Sequence, residues 1–141
     1  MPKVSVILSA YNAEKYIPAA VESILSQTFR DIEFFIVNDA SNDGTGKIIE
    51  SFTDSRIKYV KNTVNLGVAV SVNNCMDRAK GEYIARMDAD DISLPRRLER
   101  QADFLDKNCS VGICGAWIKT FGPGKNYTDR FPVSPEEIKF K

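Results

Sequence analysis

The chain has 141 residues, 43% of them hydrophobic, enough for one domain with a substantial core. Its 19 basic and 19 acidic residues cancel, giving no reason to expect a nucleic-acid or anionic-membrane partner, and the absence of histidine excludes Ser-His-Asp and Cys-His triads, the common zinc sites and imidazole acid-base chemistry. No apolar stretch approaches the roughly 18 residues of a membrane span, no basic start leads into a secretory core, and three cysteines without C-x-x-C spacing read as buried thiols, so a cytoplasmic domain is expected.

Val4-Ser5-Val6-Ile7-Leu8 is a short, nearly continuous apolar run, the pattern of a strand covered on both faces. Ile17, Val21, Ile24 and Leu25 recur at helical spacing, with Pro18 near the start and Gln27-Thr28 at the end, which predicts a crossover helix. Glu33-Phe34-Phe35-Ile36-Val37 repeats the strand pattern. A helix through Lys47-Ile48-Ile49 to Phe52, a strand at Ile57-Lys58-Tyr59-Val60 and a helix carrying Val68, Val72, Cys75, Met76 and Ala79 follow, with Gly81 as the last helix's stop. Tyr83-Ile84-Ala85-Arg86-Met87 is the next strand. Pro95 opens a helix with Leu98, Ala102 and Leu105 inward, and Val111 to Phe121 is apolar enough for a further strand. Such alternation implies right-handed crossovers and an α/β fold: a Rossmann-like, doubly wound, mostly parallel sheet with helices on both faces. The core is expected over residues 1–121. Residues 122–141 would hold a flexible connection at Gly122-Pro123-Gly124 and a helix start at Ser134-Pro135-Glu136-Glu137, cut four residues later as in a truncated chain.

Asp88-Ala89-Asp90-Asp91 crowds three carboxylates into four residues, which repel unless a cation or hydrogen-bond donors compensate. Strand alternation would point Asp88 and Asp90 the same way, with small Ala89 beneath them. A D-x-D turn suits Mg2+ or Mn2+, because Mg2+ takes one or two carboxylates and completes its shell with water and phosphate oxygens. The same acids also suit a solvated loop or a helix cap. In a doubly wound sheet ligands bind beyond the carboxyl ends of the strands, which gathers Ser9-Ala10-Tyr11-Asn12, Asn38-Asp39-Ala40-Ser41 and the acidic turn at one edge. There Asp39 can accept from a nucleobase N–H and Tyr11 can stack on a base. Equally, Asp39 or Ser41 can cap the next helix, with Asp43-Gly44 as the turn, and Tyr11 can cover the sheet edge. Arg96 and Arg97 sit in a first helical turn, where the macrodipole disfavours cations, so an anion should compensate them: Asp90 and Asp91, or a phosphate.

Val4 to Asn12, Glu33 to Thr45, Asn65-Leu66-Gly67, Asn73, Gly81-Glu82-Tyr83-Ile84 and Asp88 to Asp91 occur in an order that resembles the family 2 glycosyltransferases over residues 3–121. The resemblance implies the GT-A fold and a nucleoside-diphosphate sugar donor, commonly UDP-linked. It implies transfer to an acceptor hydroxyl, on a glycan or lipid-linked acceptor, with inversion, in polysaccharide or cell-surface glycan synthesis. By position it implies that Tyr11 stacks on the base, that Asp39 accepts from its ring N–H, that Asp88 lies near the ribose or sugar, and that Asp90 is the direct metal ligand, with Asp88 as a second candidate. Ser9, Asn12 and Ala89 complete the expected substrate-binding set. Asn38 stands where many relatives have a first aspartate, and Ser9-Ala10 replaces a frequent Pro-Thr pair, which leaves the base identity open. The resemblance also places the catalytic base, a carboxylate, beyond residue 141. These residues alone are therefore expected to bind donor without efficient transfer, in a protein that is cytoplasmic or peripheral at the inner membrane face.

Gly44-Thr45-Gly46-Lys47 does not make a P-loop, because Ser41 and Ile48 stand where glycine and a hydroxyl residue are required. No G-x-G-x-x-G follows the first strand, which removes a dinucleotide-binding domain. Asn108-Cys109-Ser110 and Asn126-Tyr127-Thr128 match the glycosylation acceptor pattern but carry no assignment without a secretory signal. The remaining alternative is a non-catalytic nucleotide-sensing or Mg2+-binding receiver-like module, which would ignore nucleoside diphosphates.

Overall fold

The structure, a computed structural model, describes residues 1–122 and 125–129, in two compact units, Met1–Phe104 and Leu105–Lys141. The first unit is built on four parallel strands, β1 (Val4–Ala10), β2 (Ile32–Asp39), β3 (Ile57–Asn62) and β4 (Tyr83–Asp88), in the order β3-β2-β1-β4. Every residue of β1 and β2 is buried, as their near-continuous apolar runs require of central strands.

Alternation divides the strand residues between two cores. Val4, Val6, Leu8, Ile32, Phe34 and Ile36 face Ile17, Val21 and Ile24 of α1 (Ile17–Leu25), Ile49 of α2 (Thr45–Glu50) and Leu98 and Ala102 of α4 (Arg97–Lys107). Ile7, Phe35 and Val37 face Val72 and Cys75 of α3 (Val68–Met76). Helices therefore cover both faces, and burying each of these aliphatic side chains contributes about 1.5–3 kcal/mol. The chain steps outward from β1 to β2 to β3, then returns through α3 to place β4 on the other side of β1. A right-handed crossover that reverses direction lands its helix on the opposite face, which is why α3 stands apart from α1 and α2. The reversal makes the β1–β4 boundary the topological switch point of the sheet.

Of the three cysteines expected to be buried only Cys75 is, Cys109 being exposed and Cys114 intermediate, and three expectations about elements need correction. The third helix ends at Met76 with Asp77 as its cap, so Gly81 does not stop it. Gly81 instead lies against β1, where a Cβ would come within 2.4 Å of the Ser5 backbone nitrogen. The strand expected from Val111 to Phe121 is only β5 (Ile118–Gly122), paired antiparallel with β6 (Lys125–Asp129) in a separate two-stranded sheet. Residues 111–117 carry no regular structure; Gly112 and Gly115 weaken strand propensity there, and Ile113 is 87% exposed, so apolarity alone did not secure a partner. Gly122, expected in a flexible connection, pairs with Lys125 as the last residue of β5. The helix start expected at residues 134–137 lies outside the described residues.

Candidate functional site

The loops after β1 and β2 brace each other. The backbone N–H groups of Asn12, Ala13 and Glu14 donate to Ser41 Oγ (3.1 Å), Thr45 Oγ1 (2.8 Å) and Asp43 Oδ2 (3.2 Å). In return Asn42 N–H donates to Asn12 Oδ1 (3.0 Å) and Gly44 N–H to Glu14 Oε2 (2.6 Å). Asn12 and Ala40 adopt left-handed backbone, at φ 49° and 60°, a conformation that costs an L-residue about 1–2 kcal/mol and persists here under these cross-loop bonds. Tyr11 remains half exposed beside them.

Asp39 closes β2 and is buried, 2% exposed as a residue. Oδ1 accepts from Asn62 Nδ2 (2.7 Å) and Leu66 N–H (3.0 Å), and Oδ2 accepts from Gly67 N–H (2.8 Å). Burial alone would raise its pKa, but the hydrogen bonds from Asn62, Leu66, Ser71 and Gly67 outweigh it and the net shift is downward. These contacts explain the Asn65-Leu66-Gly67 run: Gly67 sits at φ 80°, ψ 158°, a region open to glycine, and its N–H reaches both Asp39 and Asn65 Oδ1 (3.0 Å). Neither Asp39 nor Ser41 caps the next helix: its N-cap is Gly44, without a side-chain cap bond, and Asp43 just before it accepts from Thr45 N–H through Oδ1 (2.9 Å). Asn38, on the opposite face, anchors its own loop by accepting from Ser41 N–H (2.9 Å) and donating to the Tyr59 hydroxyl (3.2 Å).

Register places Ser9 between Val37 of β2 and Asp88 of β4, so the three expected loops do leave the same edge of the sheet. Strand alternation stops at Asp88: Ala89 and Asp90 form a turn closed by Asp91 N–H on the Asp88 carbonyl (3.3 Å). Ala89 is buried in the core while Asp90 is exposed. Asp88 pairs with the Arg86 guanidinium two residues back on the same face. The Asp91 carboxyl is pushed up by burial first, then by the charges of Asp88 and Asp90, with Arg97 and Arg86 pulling the other way. The three carboxylates thus act against one another, with Arg86 and Arg97 opposing the repulsion.

Arg96, just before α4, pairs with Glu99 three residues on (3.0 Å) and not with Asp90. Arg97 donates to the Arg86 carbonyl (2.8 Å), Ser93 Oγ (2.9 Å) and Gln101 Oε1 (3.2 Å). Sequence reasoning missed Gln27, which is wholly buried. Its Nε2 donates to the carbonyls of Ser23 (2.9 Å) and Leu94 (2.8 Å), and its Oε1 accepts from Leu98 N–H (3.1 Å) at the start of α4. The available signal was a polar residue just past the end of α1 that keeps the spacing of core-facing Ala20 and Ile24.

The family model for glycosyl transferase family 2 matches residues 5–140. The chain belongs to this family. Among its relatives, EpsE of Bacillus subtilis (strain 168), named as a glycosyltransferase, is 43% identical over 85% of this chain and 44% of its own length. The Escherichia coli enzyme WfaP, named a UDP-Glc:alpha-D-GlcNAc-diphosphoundecaprenol beta-1,3-glucosyltransferase, is 42% identical over 75% of this chain and 42% of its own. The chain therefore spans less than half the length of these curated relatives. Among solved structures, S. aureus TarS 1-349 in complex with UDP-GlcNAc superposes with a TM-score of 0.71 at 32% identity, covering 76% of this chain and 32% of that one. The mannosyltransferase PcManGT of Pyrobaculum calidifontis, in complex with GDP-Man and Mn2+, superposes at 0.60 with 30% identity, over 64% and 28%. The family's GT-A fold is the fold described above.

Proposed function

We propose that this family 2 chain binds the nucleoside-diphosphate sugar donor of a glycosyltransferase, UDP-linked by preference. The observation that carries the reading is the charge arrangement at the switch point, where Asp88, Asp90 and Asp91 crowd one turn beside Ser9 and past the end of β1. In this reading Tyr11 stacks on the base and Asp39 accepts from its ring N–H. Ser9, Asn12 and Ala89 shape the floor and rim, and Asp88 lies near the ribose or sugar.

Hard carboxylate oxygens on Asp90 and Asp88 are a donor set suited to Mg2+ or Mn2+. Among the described residues no group of three acidic, cysteine or histidine side chains could hold an ion, so water and diphosphate would have to complete the shell. When bound, such an ion neutralises charge on the leaving diphosphate. The reaction then consists of displacement at the anomeric carbon by an acceptor hydroxyl, with inversion, and the chain's own part is to orient the donor. The acceptor and the base that deprotonates it belong to the length of the relatives not spanned here. An acceptor on a lipid diphosphate, as named for WfaP, fits cell-surface polysaccharide synthesis and peripheral action at the cytoplasmic side of a membrane. Among the described residues no helix is long and apolar enough to cross one.

Calorimetric titration with UDP and GDP, with and without Mn2+, tests the reading. The expected result is metal-dependent binding of one nucleotide; a receiver-like module would bind neither.

A further inference from the structure

The acidic turn is short, so its shape depends on how its two ends are held. One end, Asp88, is fixed by pairing with Ser9 in the sheet. The other end runs into Ser93, which is 6% exposed and whose N–H donates to Ser23 Oγ on α1 (3.0 Å). Gln27, one turn further along, grips the Leu94 carbonyl with its amide nitrogen while its oxygen takes Leu98 N–H, one of the donors that an α-helix start leaves open. Thr28 N–H adds a 2.9 Å bond to the Pro95 carbonyl. Across the base of the turn, the Arg97 guanidinium bonds the Arg86 carbonyl before the acids and Ser93 Oγ after them.

We infer that Gln27, with Ser23 and Arg97, is a positioning residue for the acidic turn, setting how Asp88 and Asp90 are presented and hence the metal-dependent share of diphosphate affinity. The inference rests on the donor-binding reading above. Three like charges in one turn push it open, and the clamp opposes them together with the Arg86–Asp88 ion pair. The chemistry requires an amide at residue 27. A glutamate would turn an acceptor toward the carbonyls of Ser23 and Leu94, and a methionine would leave these carbonyls and Leu98 N–H without their partner. None of these side chains belongs to the loops after β1 and β2, so base contacts should not depend on them.

The test uses the 141-residue chain with Gln27→Met and, as a milder variant, Ser23→Ala. UDP affinity is measured with and without Mn2+, UMP affinity without metal, and amide exchange by mass spectrometry. The gain in UDP affinity conferred by Mn2+ should fall about tenfold or more in Gln27→Met, in line with losses of groups that orient metal ligands, and by less in Ser23→Ala. UMP affinity should stay within about twofold. Exchange should quicken across residues 88–94 and not at residues 39–45. Should Gln27→Met fail to fold, the smaller change in Ser23→Ala decides. An undiminished Mn2+ gain, or a parallel loss of UMP binding, overturns the positioning role alone. A wild-type chain indifferent to UDP with Mn2+ overturns the donor reading as well.

Discussion

Ser5 and Glu33 form a buried 2.6 Å hydrogen bond across the β1–β2 pair, with the Ser5 hydroxyl donating to Glu33 Oε1. The same Oε1 accepts from Lys80 N–H (2.6 Å), and Ser5 Oγ accepts from Gly81 N–H (2.8 Å). The connection into β4 is thereby fastened to the middle of the sheet. Gly81→Ala should destabilise the chain by at least about 1–3 kcal/mol, the cost of overpacking, because the obstacle to a Cβ is Ser5 backbone at 2.4 Å. Urea denaturation measures this, and a midpoint equal to wild type would contradict the close approach.

Acid should unfold the chain through carboxylates whose acidity the fold increases. The Asp54 pKa is lowered to about 2, chiefly by hydrogen bonds from the Arg56 side chain and backbone, and those of Glu33 and Asp39 are lowered in spite of burial. A group with a depressed folded value contributes stability above its unfolded value and loses it as pH falls through the folded one. The stability these three groups contribute should therefore be flat above about pH 4.5 and decline toward pH 2. Asp54→Asn should flatten the lower part of that decline in thermal melts recorded against pH.

Asp39→Ala should both destabilise the protein and weaken nucleotide binding, since it strips the acceptor from Asn62, Leu66 N–H and Gly67 N–H. Unsatisfied buried donors cost about 1–3 kcal/mol each where water cannot replace the acceptor. Faster amide exchange at Leu66 and Gly67 should accompany the loss. If the loop stays protected, Asp39 does not hold it.

Asp90→Ala should leave stability within about 0.5 kcal/mol of wild type, because the side chain is exposed, while abolishing the Mn2+-dependent part of UDP affinity. Calorimetry beside a urea melt separates the two effects.

Ala40→Gly should stabilise the chain by about 1 kcal/mol, by relieving left-handed backbone at φ 60°, less the extra freedom that glycine gains when unfolded. A lower melting temperature would show that the cross-loop bonds do not strain this residue.

Legibility in the sequence follows the range of the forces involved. β1, β2 and α1 were readable because apolar runs and the spacing of Ile17, Val21 and Ile24 are local records of burial. The doubly wound order followed from their alternation. Gly81 misled because a glycine after a helix usually marks its end, whereas here the demand is room beside a strand 76 residues away. Gln27 was opaque for the same reason: its partners at Leu94 and Leu98 lie 67 and 71 residues along the chain. The acidic turn announced itself by composition, but its departure from strand alternation at Ala89 did not, since turn geometry there depends on what holds Ser93.

The mutual bracing of residues 12–14 with residues 41–45 bears on redesign. Each loop supplies both donors and acceptors to the other, so neither has a shape of its own to transplant. Grafting one segment from a related protein would import half of a matched set, and only exchange of both as a single cassette preserves their mutual geometry.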